Sequence, residues 1–197
     1  MLCVIAKLNE EATEKLMSIR TAALSDAALK PLHGHITIAS YTGNHEAQFV
    51  RFCKSLLEGT SSFAVRYEKI EVLDASSIIV ASPEKSGALE VLHRRIAEAY
   101  NDSLNPWTQA DRWYPHTTLL YDPNLDLHRI CRKMAAYFLP FAAQISGVEF
   151  SRVLESGYEI IDRVELTEGQ LPRTQRHGGF SESKKLCSVC RLWAAKK

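Results

Sequence analysis

Hydrophobic and polar residues follow two spacings along the chain, and each spacing predicts a different element. Stretches of alternating or β-branched apolar residues predict strands, whereas apolar residues three or four positions apart predict amphipathic helices. Strands are expected over residues 3–8, 35–41, 63–73, 76–81, 116–121, 141–154 and 158–166. Helices are expected over residues 10–24, 44–57, 86–104 and 125–138.

The net charge is distributed unevenly, although its total is only +1. Residues 171–197 hold seven Lys or Arg and one acidic residue, a charge of +6, while the remainder has a charge of −5. An acidic body is not typical of a nonspecific nucleic-acid binder, although the basic tail could contact a polyanion. We therefore expect one domain over residues 1–170 and a flexible basic tail over 171–197, where Pro, Gly and Ser are frequent.

The composition, 46% hydrophobic and 24% charged, is that of a soluble globular protein. No apolar stretch approaches the roughly 18 residues that a membrane span needs, and the N-terminal apolar stretch is too short for a signal peptide. The five cysteines are odd in number and scattered, unlike a disulfide framework. We expect a cytoplasmic monomer with reduced thiols and no membrane partner.

Two of the predicted strands begin with the same pattern, His-x-Thr followed by an apolar residue. The motifs are His35-Ile-Thr37-Ile and His116-Thr-Thr118-Leu, and their histidines are 81 positions apart. Residues two apart on a strand point to the same face, about 6 to 7 Å from each other, so each motif presents an imidazole beside a hydroxyl. Each motif also lies between two helices, which indicates an internal repeat.

If the two motif strands face one another, two imidazoles and two hydroxyls surround one point. Cleavage of a phosphodiester by water needs a base, an acid, and donors to the phosphoryl oxygens. Imidazoles with a pKa near 6.5 can hold opposite protonation states near neutral pH. One His-x-Thr alone occurs by chance, but two copies at equivalent places favour a phosphodiesterase that needs no metal.

The two motifs, the second preceded by Tyr114-Pro115, resemble those of the two-histidine (2H) phosphoesterase superfamily. This superfamily includes 2′,5′ RNA ligase-like proteins and cyclic phosphodiesterases, and the resemblance covers about residues 1–167. It implies an α+β fold with two pseudo-symmetric lobes, in which mainly antiparallel sheets line a central cleft and helices lie outside.

The resemblance also implies roles for the motif residues. His35 and His116 would be the acid and the base, and Thr37 and Thr118 would bind the phosphate. The substrates implied are 2′,3′-cyclic, 2′,5′-linked or 1″,2″-cyclic phosphates of RNA or small nucleotides, without a metal or other cofactor. Which histidine is the acid stays open, because the reverse reaction exchanges the two roles.

Several side chains near the motifs are candidates for substrate binding. Tyr41, Trp113, Tyr114 and Tyr121 could stack on a base, and Arg112 could contact a further phosphate. The alternative for each aromatic residue is packing in the core, and for the arginine a solvent-exposed position.

Two other functions remain open on the sequence. The cleft could hold a nucleotide or an RNA end without turnover, with the basic tail adding salt-dependent affinity. Some relatives join RNA ends reversibly, so a 2′,5′ RNA ligase reaction is the same chemistry in the opposite direction.

Other histidines and cysteines do not form a convincing metal site. His33, His35 and His45 lack an acidic or thiol partner at a ligand-like spacing. Cys187 and Cys190, even with His177, supply at most three of the four ligands of a structural zinc. His93 and His128 are expected on the exposed faces of helices.

Overall fold

The computed structural model describes residues 1–24, 33–73, 76–84, 87–154 and 157–167. The strands are β1 (Leu2–Leu8), β2 (His35–Tyr41), β3 (Phe63–Val72), β4 (Ile78–Pro83), β5 (Thr117–Tyr121), β6 (Phe141–Leu154) and β7 (Gly157–Glu165). The helices are α1 (Glu10–Ala23), α2 (Glu46–Leu57), α3 (Gly87–Tyr100) and α4 (Leu127–Tyr137). Two short 3-10 helices, Asn101–Ser103 and Pro106–Thr108, follow α3. Every predicted strand and helix is present, and the largest boundary error is the C-terminal end of α3.

The strands form one antiparallel sheet in the order β2-β1-β6-β3-β4-β5, with β7 also paired to β6. The long strand β6 joins the two halves of this sheet. Its residues 145–152 pair with β1, 141–145 pair with β3, and 147–154 pair with β7. The α+β class and the mainly antiparallel sheet are confirmed, while the division into two lobes stays a prediction.

The core lies between one face of the sheet and the apolar faces of the helices. In β1, alternate residues from Leu2 to Leu8 are buried at 2% exposure or less, while Cys3 and Lys7 on the other face are partly exposed. Each helix contributes a fully buried side chain; these are Leu16, Phe49, Ile96 and Met134. The helices therefore cover one face of the sheet and leave residues of the other face available for a site.

The start of α1 is tied to the centre of the sheet. Asn9 precedes this helix, and its side-chain oxygen accepts a hydrogen bond from the backbone N–H of Gln144 in β6, at 3.0 Å. The Asn9 side chain thereby fixes the start of the helix against β6, while the Asn9 carbonyl accepts from the backbone N–H and the hydroxyl of Thr13 in α1.

Strands β2 and β5 each contain a bulge at the same place in the motif. The residue without a partner on the neighbouring strand is Ile38 in β2 and Leu119 in β5, which are the fourth residues of the two motifs. An extra residue exchanges the faces to which later side chains point. Beyond the bulge, Tyr41 therefore points into the helix-covered core instead of lying on the face of His35.

The burial of Tyr41 corrects the prediction that it contacts a substrate base. The side chain is 3% exposed, stacks on Phe49 of α2 at a centroid distance of 4.4 Å, and meets Tyr100 of α3 edge-on at 5.9 Å. Its hydroxyl accepts a hydrogen bond from the backbone N–H of His45. Tyr41 is a core residue that joins two helices.

The position of His93 also differs from the expectation of an exposed helix face. His93 is 4% exposed, its Nδ1 donates to the carbonyl of Ile38 at 2.9 Å, and its ring stacks on Trp113 at 4.0 Å. The cause is that α3 packs between β2 and the loop that carries Trp113. His128 is exposed, as expected.

The tail predicted over residues 171–197, with Cys187 and Cys190, lies outside the described residues. In the part of the chain that the structure describes, no helix is both long and apolar enough to cross a membrane.

Candidate active site

Both motif histidines are held by the backbone two residues before them. Nδ1 of His35 lies 2.8 Å from the carbonyl oxygen of His33, and Nδ1 of His116 lies 2.7 Å from that of Tyr114. Because a carbonyl oxygen can only accept, Nδ1 of each ring carries the proton in these contacts. Nε2 is therefore the nitrogen at which each ring can accept or donate a proton during a reaction.

The motif threonines lie beyond the histidines on the same sheet face. Thr37 and Thr118 are partly exposed, whereas the residues next to them in the motifs, Ile36 and Thr117, are buried. Within the described residues, neither the Thr37 nor the Thr118 hydroxyl is engaged in a hydrogen bond. Both hydroxyls are therefore free to donate to an anion in the cleft.

Hydrogen bonds beneath the motifs join β2 and β5, which lie at opposite ends of the strand order. The Thr117 hydroxyl donates to the His35 carbonyl at 2.8 Å, and the Trp113 indole N–H donates to the Thr37 carbonyl at 2.9 Å. The fully buried Tyr67 of β3 lies 2.5 Å from the Thr117 hydroxyl. These contacts place the two motifs next to each other.

Burial is the largest influence on the pKa of His35 and lowers it from the ordinary value. The hydrogen bond to the His33 carbonyl opposes this, the charges of His33 and His116 lower the pKa further, and the charge of Glu149 raises it. The contribution from His116 reflects the closeness of the two rings.

Burial is also the main cause of a lowered pKa at His116. The hydrogen bond to the Tyr114 carbonyl and the charge of Glu71 oppose the shift. Because charge on one imidazole disfavours charge on its neighbour, protonation of one ring makes protonation of the other less favourable. One neutral and one protonated imidazole is the combination that acid–base catalysis requires.

A cavity of about 640 Å³ opens beside His116. Its walls include Arg112 and Tyr114, two of the predicted substrate contacts. They also include Trp107, which sequence reasoning did not select and which is 64% exposed. The cavity is large enough for a nucleoside-sized group next to the histidine pair.

The other two aromatic candidates occupy different positions. Trp113 is half-buried and uses its indole N–H and its contact with His93 to join parts of the fold. Tyr121 lies at the end of β5, where it pairs with Ile78 on the sheet face of Thr118, and is 69% exposed.

One carboxylate that sequence reasoning missed is Glu71 of β3, on the wall of the cavity. Its Oε1 accepts hydrogen bonds from the Tyr114 hydroxyl at 2.5 Å and the Ser82 hydroxyl at 2.6 Å, and its Oε2 lies 2.7 Å from the Lys69 ammonium group. Partial burial raises the pKa of Glu71, but these donors outweigh it and hold the pKa below its ordinary value. Glu71 is thus an ionised group near His116.

The second missed carboxylate is Glu149 of β6, which is completely buried. Its Oε1 contacts Arg163 of β7 and lies 3.7 Å from the Lys7 ammonium group, and its Oε2 lies 3.4 Å from Nε2 of His33. An acidic residue between Val148 and Phe150 was the available signal in the sequence. Glu71 also has apolar neighbours, Ile70 and Val72, but the charged Glu68 and Lys69 come just before them, which is typical of a solvent-exposed strand face.

Within the described residues, no three His, Cys, Asp or Glu side chains are grouped as a metal site would need. The alternative zinc ligands Cys187, Cys190 and His177 lie outside the described part of the chain.

The fold is similar to those of several solved structures. Escherichia coli LigT complexed with 3′-AMP has a TM-score of 0.55 and 19% identity, with 85% of this chain and 97% of that chain covered. LigT complexed with NADP+ has a TM-score of 0.57 and 18% identity, with the same coverage. TT0787 of Thermus thermophilus has a TM-score of 0.58 and 14% identity, with 85% and 98% covered. At sequence identities this low, the similarity to these structures shows that the chain has the same fold.

The family is shown by the sequence itself. A family model of the 2′-5′ RNA ligase superfamily matches residues 8–156, a stretch that contains both motifs. The chain belongs to this superfamily, and the resemblance to 2H phosphoesterases is confirmed. None of the curated proteins matches the sequence.

Proposed function

We propose that the protein is a metal-independent phosphodiesterase that hydrolyses 2′,3′-cyclic or 2′,5′-linked phosphates of RNA or small nucleotides. The observation that carries this proposal is the matched anchoring of His35 and His116, whose Nδ1 atoms both bond to a carbonyl two residues earlier. Membership of the 2′-5′ RNA ligase superfamily supports the substrate class.

The reaction uses each motif as one half of the catalytic apparatus. The neutral imidazole accepts a proton from the attacking water at Nε2, and the protonated imidazole donates one to the leaving oxygen. The Thr37 and Thr118 hydroxyls donate to the non-bridging phosphoryl oxygens, where negative charge increases in the transition state. Ligation runs through the same groups with the roles of His35 and His116 exchanged.

The cavity beside His116 holds the nucleoside part of the substrate. Tyr114 and Trp107 offer aromatic surface to a base, and Arg112 provides a cation for a second phosphate. Tyr121, exposed on the face of Thr118, is a further contact for a longer RNA end. The crystallisation of LigT, a protein of similar fold, with 3′-AMP and NADP+ agrees with a nucleotide ligand.

The test is hydrolysis of nucleoside 2′,3′-cyclic monophosphates and of a 2′,5′-linked dinucleotide in the presence of EDTA. His35→Ala and His116→Ala should each lower kcat by at least about 10²-fold, since each removes a positioned acid or base. His128→Ala is the matched control, because His128 is exposed on α4 and has no part in the site.

Each outcome has a distinct meaning. Metal-independent turnover that both active-site variants lose and the control retains supports a two-histidine phosphodiesterase, and the bond that opens identifies the substrate class. Activity that survives in both variants contradicts the mechanism. Binding of the cyclic nucleotides without turnover in the wild type contradicts the enzyme and favours a binding module.

The basic tail is accessory in this proposal. Removing residues 171–197 should leave turnover of the small cyclic nucleotides unchanged. Salt-dependent loss of RNA binding in the shortened protein would assign polyanion contact to the tail.

A further inference from the structure

The two carboxylates missed by the sequence occupy matching places in the two halves of the sheet. Glu149 of β6 is in register with Thr37 of β2 through one residue of the intervening strand β1. Glu71 of β3 is in register with Thr118 of β5 through one residue of β4. Since directly paired residues point to the same side, both carboxylates lie on the sheet face of the motifs.

One side chain lies between each carboxylate and the motif histidine of the same half. Nε2 of His33 lies 3.4 Å from Glu149 Oε2, and the Tyr114 hydroxyl donates to Glu71 Oε1 at 2.5 Å. The ring centroids of these two residues lie 5.1 and 6.4 Å from those of the next histidines. Their carbonyls are also the acceptors for Nδ1 of those histidines. Each half thus contains a carboxylate, a ring and an imidazole in the same order.

We propose that His33 and Tyr114 are paired positioning residues, His33 at ion-pair distance from Glu149 and Tyr114 hydrogen-bonded to Glu71, and that His33 makes the two motif histidines electrically unequal. The difference arises because an imidazole is a basic group that can carry a positive charge, whereas a tyrosine side chain cannot. The inference deepens the proposed function, on which the catalytic role of the motif histidines rests.

The charged groups around His35 determine how strongly this ring is protonated. His33 lies beside it on the same segment, Lys7 pairs with it from β1, and Glu149 lies on β6. Positive charge on His33 opposes protonation of His35, and the negative charge of Glu149 favours it. A charged His33 therefore disfavours a proton on His35 relative to His116.

Apart from His35, no imidazole among the described residues acts on His116. Its charged neighbour is Glu71, which favours its protonation. The Tyr114 ring, stacked at 22° to that of His116, holds the geometry without adding charge. The two halves therefore share their geometry but respond differently to pH.

Nuclear magnetic resonance titration of the histidine rings tests this in the full-length protein, with no need for turnover. Glu149→Gln should lower the pKa of His35 by about 0.5 to 1 pH unit, and His33→Phe should raise it, because the two changes remove charges of opposite sign. Glu71→Gln should lower the pKa of His116 by a similar amount and leave the pKa of His35 unchanged.

Results that overturn the proposal are equally defined. A His35 titration that stays within about 0.2 pH unit of wild type in both Glu149→Gln and His33→Phe contradicts it, as do shifts of the same sign. The His33→Phe arm decides the question if Glu149→Gln does not fold, since the His33 side chain is 31% exposed and its further described contact, besides Glu149 and His35, is with the exposed Tyr158 of β7. The Nδ1 proton should persist in wild type on both rings.

Kinetic measurements distinguish a positioning role of His33 from a purely structural one. His33→Phe should lower kcat more than it changes KM and should move the limb of the kcat/KM profile that reports His35 to higher pH. His33→Tyr copies the residue present in the other half and can donate to Glu149, so it should recover kcat to within about threefold of wild type while keeping the raised His35 pKa. A His33→Tyr variant as slow as His33→Phe contradicts the positioning role.

The two proposals fail in distinguishable ways. Absence of hydrolysis by the wild type contradicts the proposed function and leaves the titration results valid. Normal hydrolysis with unshifted histidine titrations contradicts only the roles assigned to His33 and Tyr114.

Discussion

The hydrogen bonds that join the two motifs give a quantitative prediction for Thr117→Val. The Thr117 hydroxyl has one proton, which it donates to the His35 carbonyl, so the hydroxyl of Tyr67 must be the donor in their 2.5 Å contact. Burial raises the pKa of Tyr67, which keeps that proton in place. Valine matches threonine in shape, so the substitution removes both hydrogen bonds with little change in packing.

The cost of Thr117→Val is dominated by the buried hydroxyl that it leaves without a partner. Tyr67 is 0% exposed, and an unsatisfied buried donor costs about 1 to 3 kcal/mol. We expect a loss of about 2 kcal/mol in the free energy of unfolding, equivalent to about 4 to 8 °C in Tm for a chain of this size. Tyr67→Phe should cost only about 1 kcal/mol, because Thr117 keeps its bond to His35.

Urea unfolding of the wild type, both single variants and the double variant tests this reasoning. The loss of unfolding free energy in the double variant should be clearly smaller than the sum of the losses in the two single variants. The reason is that Tyr67→Phe removes the hydroxyl that Thr117→Val leaves without a partner. Turnover of a 2′,3′-cyclic nucleotide by Thr117→Val should fall about 10-fold through displacement of the motifs. An unfolding free energy of Thr117→Val within about 0.5 kcal/mol of wild type would refute the hydrogen-bond assignment.

The remaining predictions concern pH and a close backbone contact. Burial is the main cause of the lowered pKa values of His35, His93 and His116. Below about pH 6.5 the unfolded chain therefore binds protons at these histidines more readily than the folded chain does. Stability should be fully present above that pH and fall as pH drops through the lowered values, which urea unfolding at pH 7.5 and 5.5 measures. A Cβ at Gly34 would lie 2.1 Å from the Thr13 hydroxyl, so Gly34→Ala should cost about 1 to 3 kcal/mol, with partial recovery on adding Thr13→Ala. Equal stability of Gly34→Ala and wild type in thermal unfolding would contradict that contact.

The sequence predicted the strands and helices well because their hydrophobic periods are clear. Strand 35–41 and strand 141–154 agree with β2 and β6 at both ends. The helix predicted over 86–104 ends earlier, at Tyr100, because residues 101–103 form a tighter 3-10 turn. Apolar spacing does not distinguish one more α-helical turn from such a turn.

The errors in the predicted site come from β-bulges and strand registers, which the alternation of apolar and polar residues does not reveal. Tyr41 is an even number of positions from His35, so a regular strand would place both side chains on one face. The bulge at Ile38 moves Tyr41 to the other face. Nothing in the polar pattern of Ile-Thr-Ile-Ala-Ser-Tyr marks that bulge. Glu71 and Glu149 lie far from both motifs in the sequence. Their positions depend on the registers of β3 and β6 with other strands, which single-sequence patterns leave undetermined.

The bulges also give a physical reason for the apolar fourth residue of each motif. On an uninterrupted strand, the side chains after His and Thr would continue to alternate, and every second one would enter the cleft. The bulge shifts this alternation by one residue directly after the threonine, and Ile38 and Leu119 are buried at 0% and 2% exposure. A polar side chain at either place would be buried without a partner, which costs more than the loss of apolar contact alone. The apolar residue is therefore the buried part of the bulge, which moves the next position on the motif face from two to three residues after the threonine, to Ser40 in β2 and Tyr121 in β5.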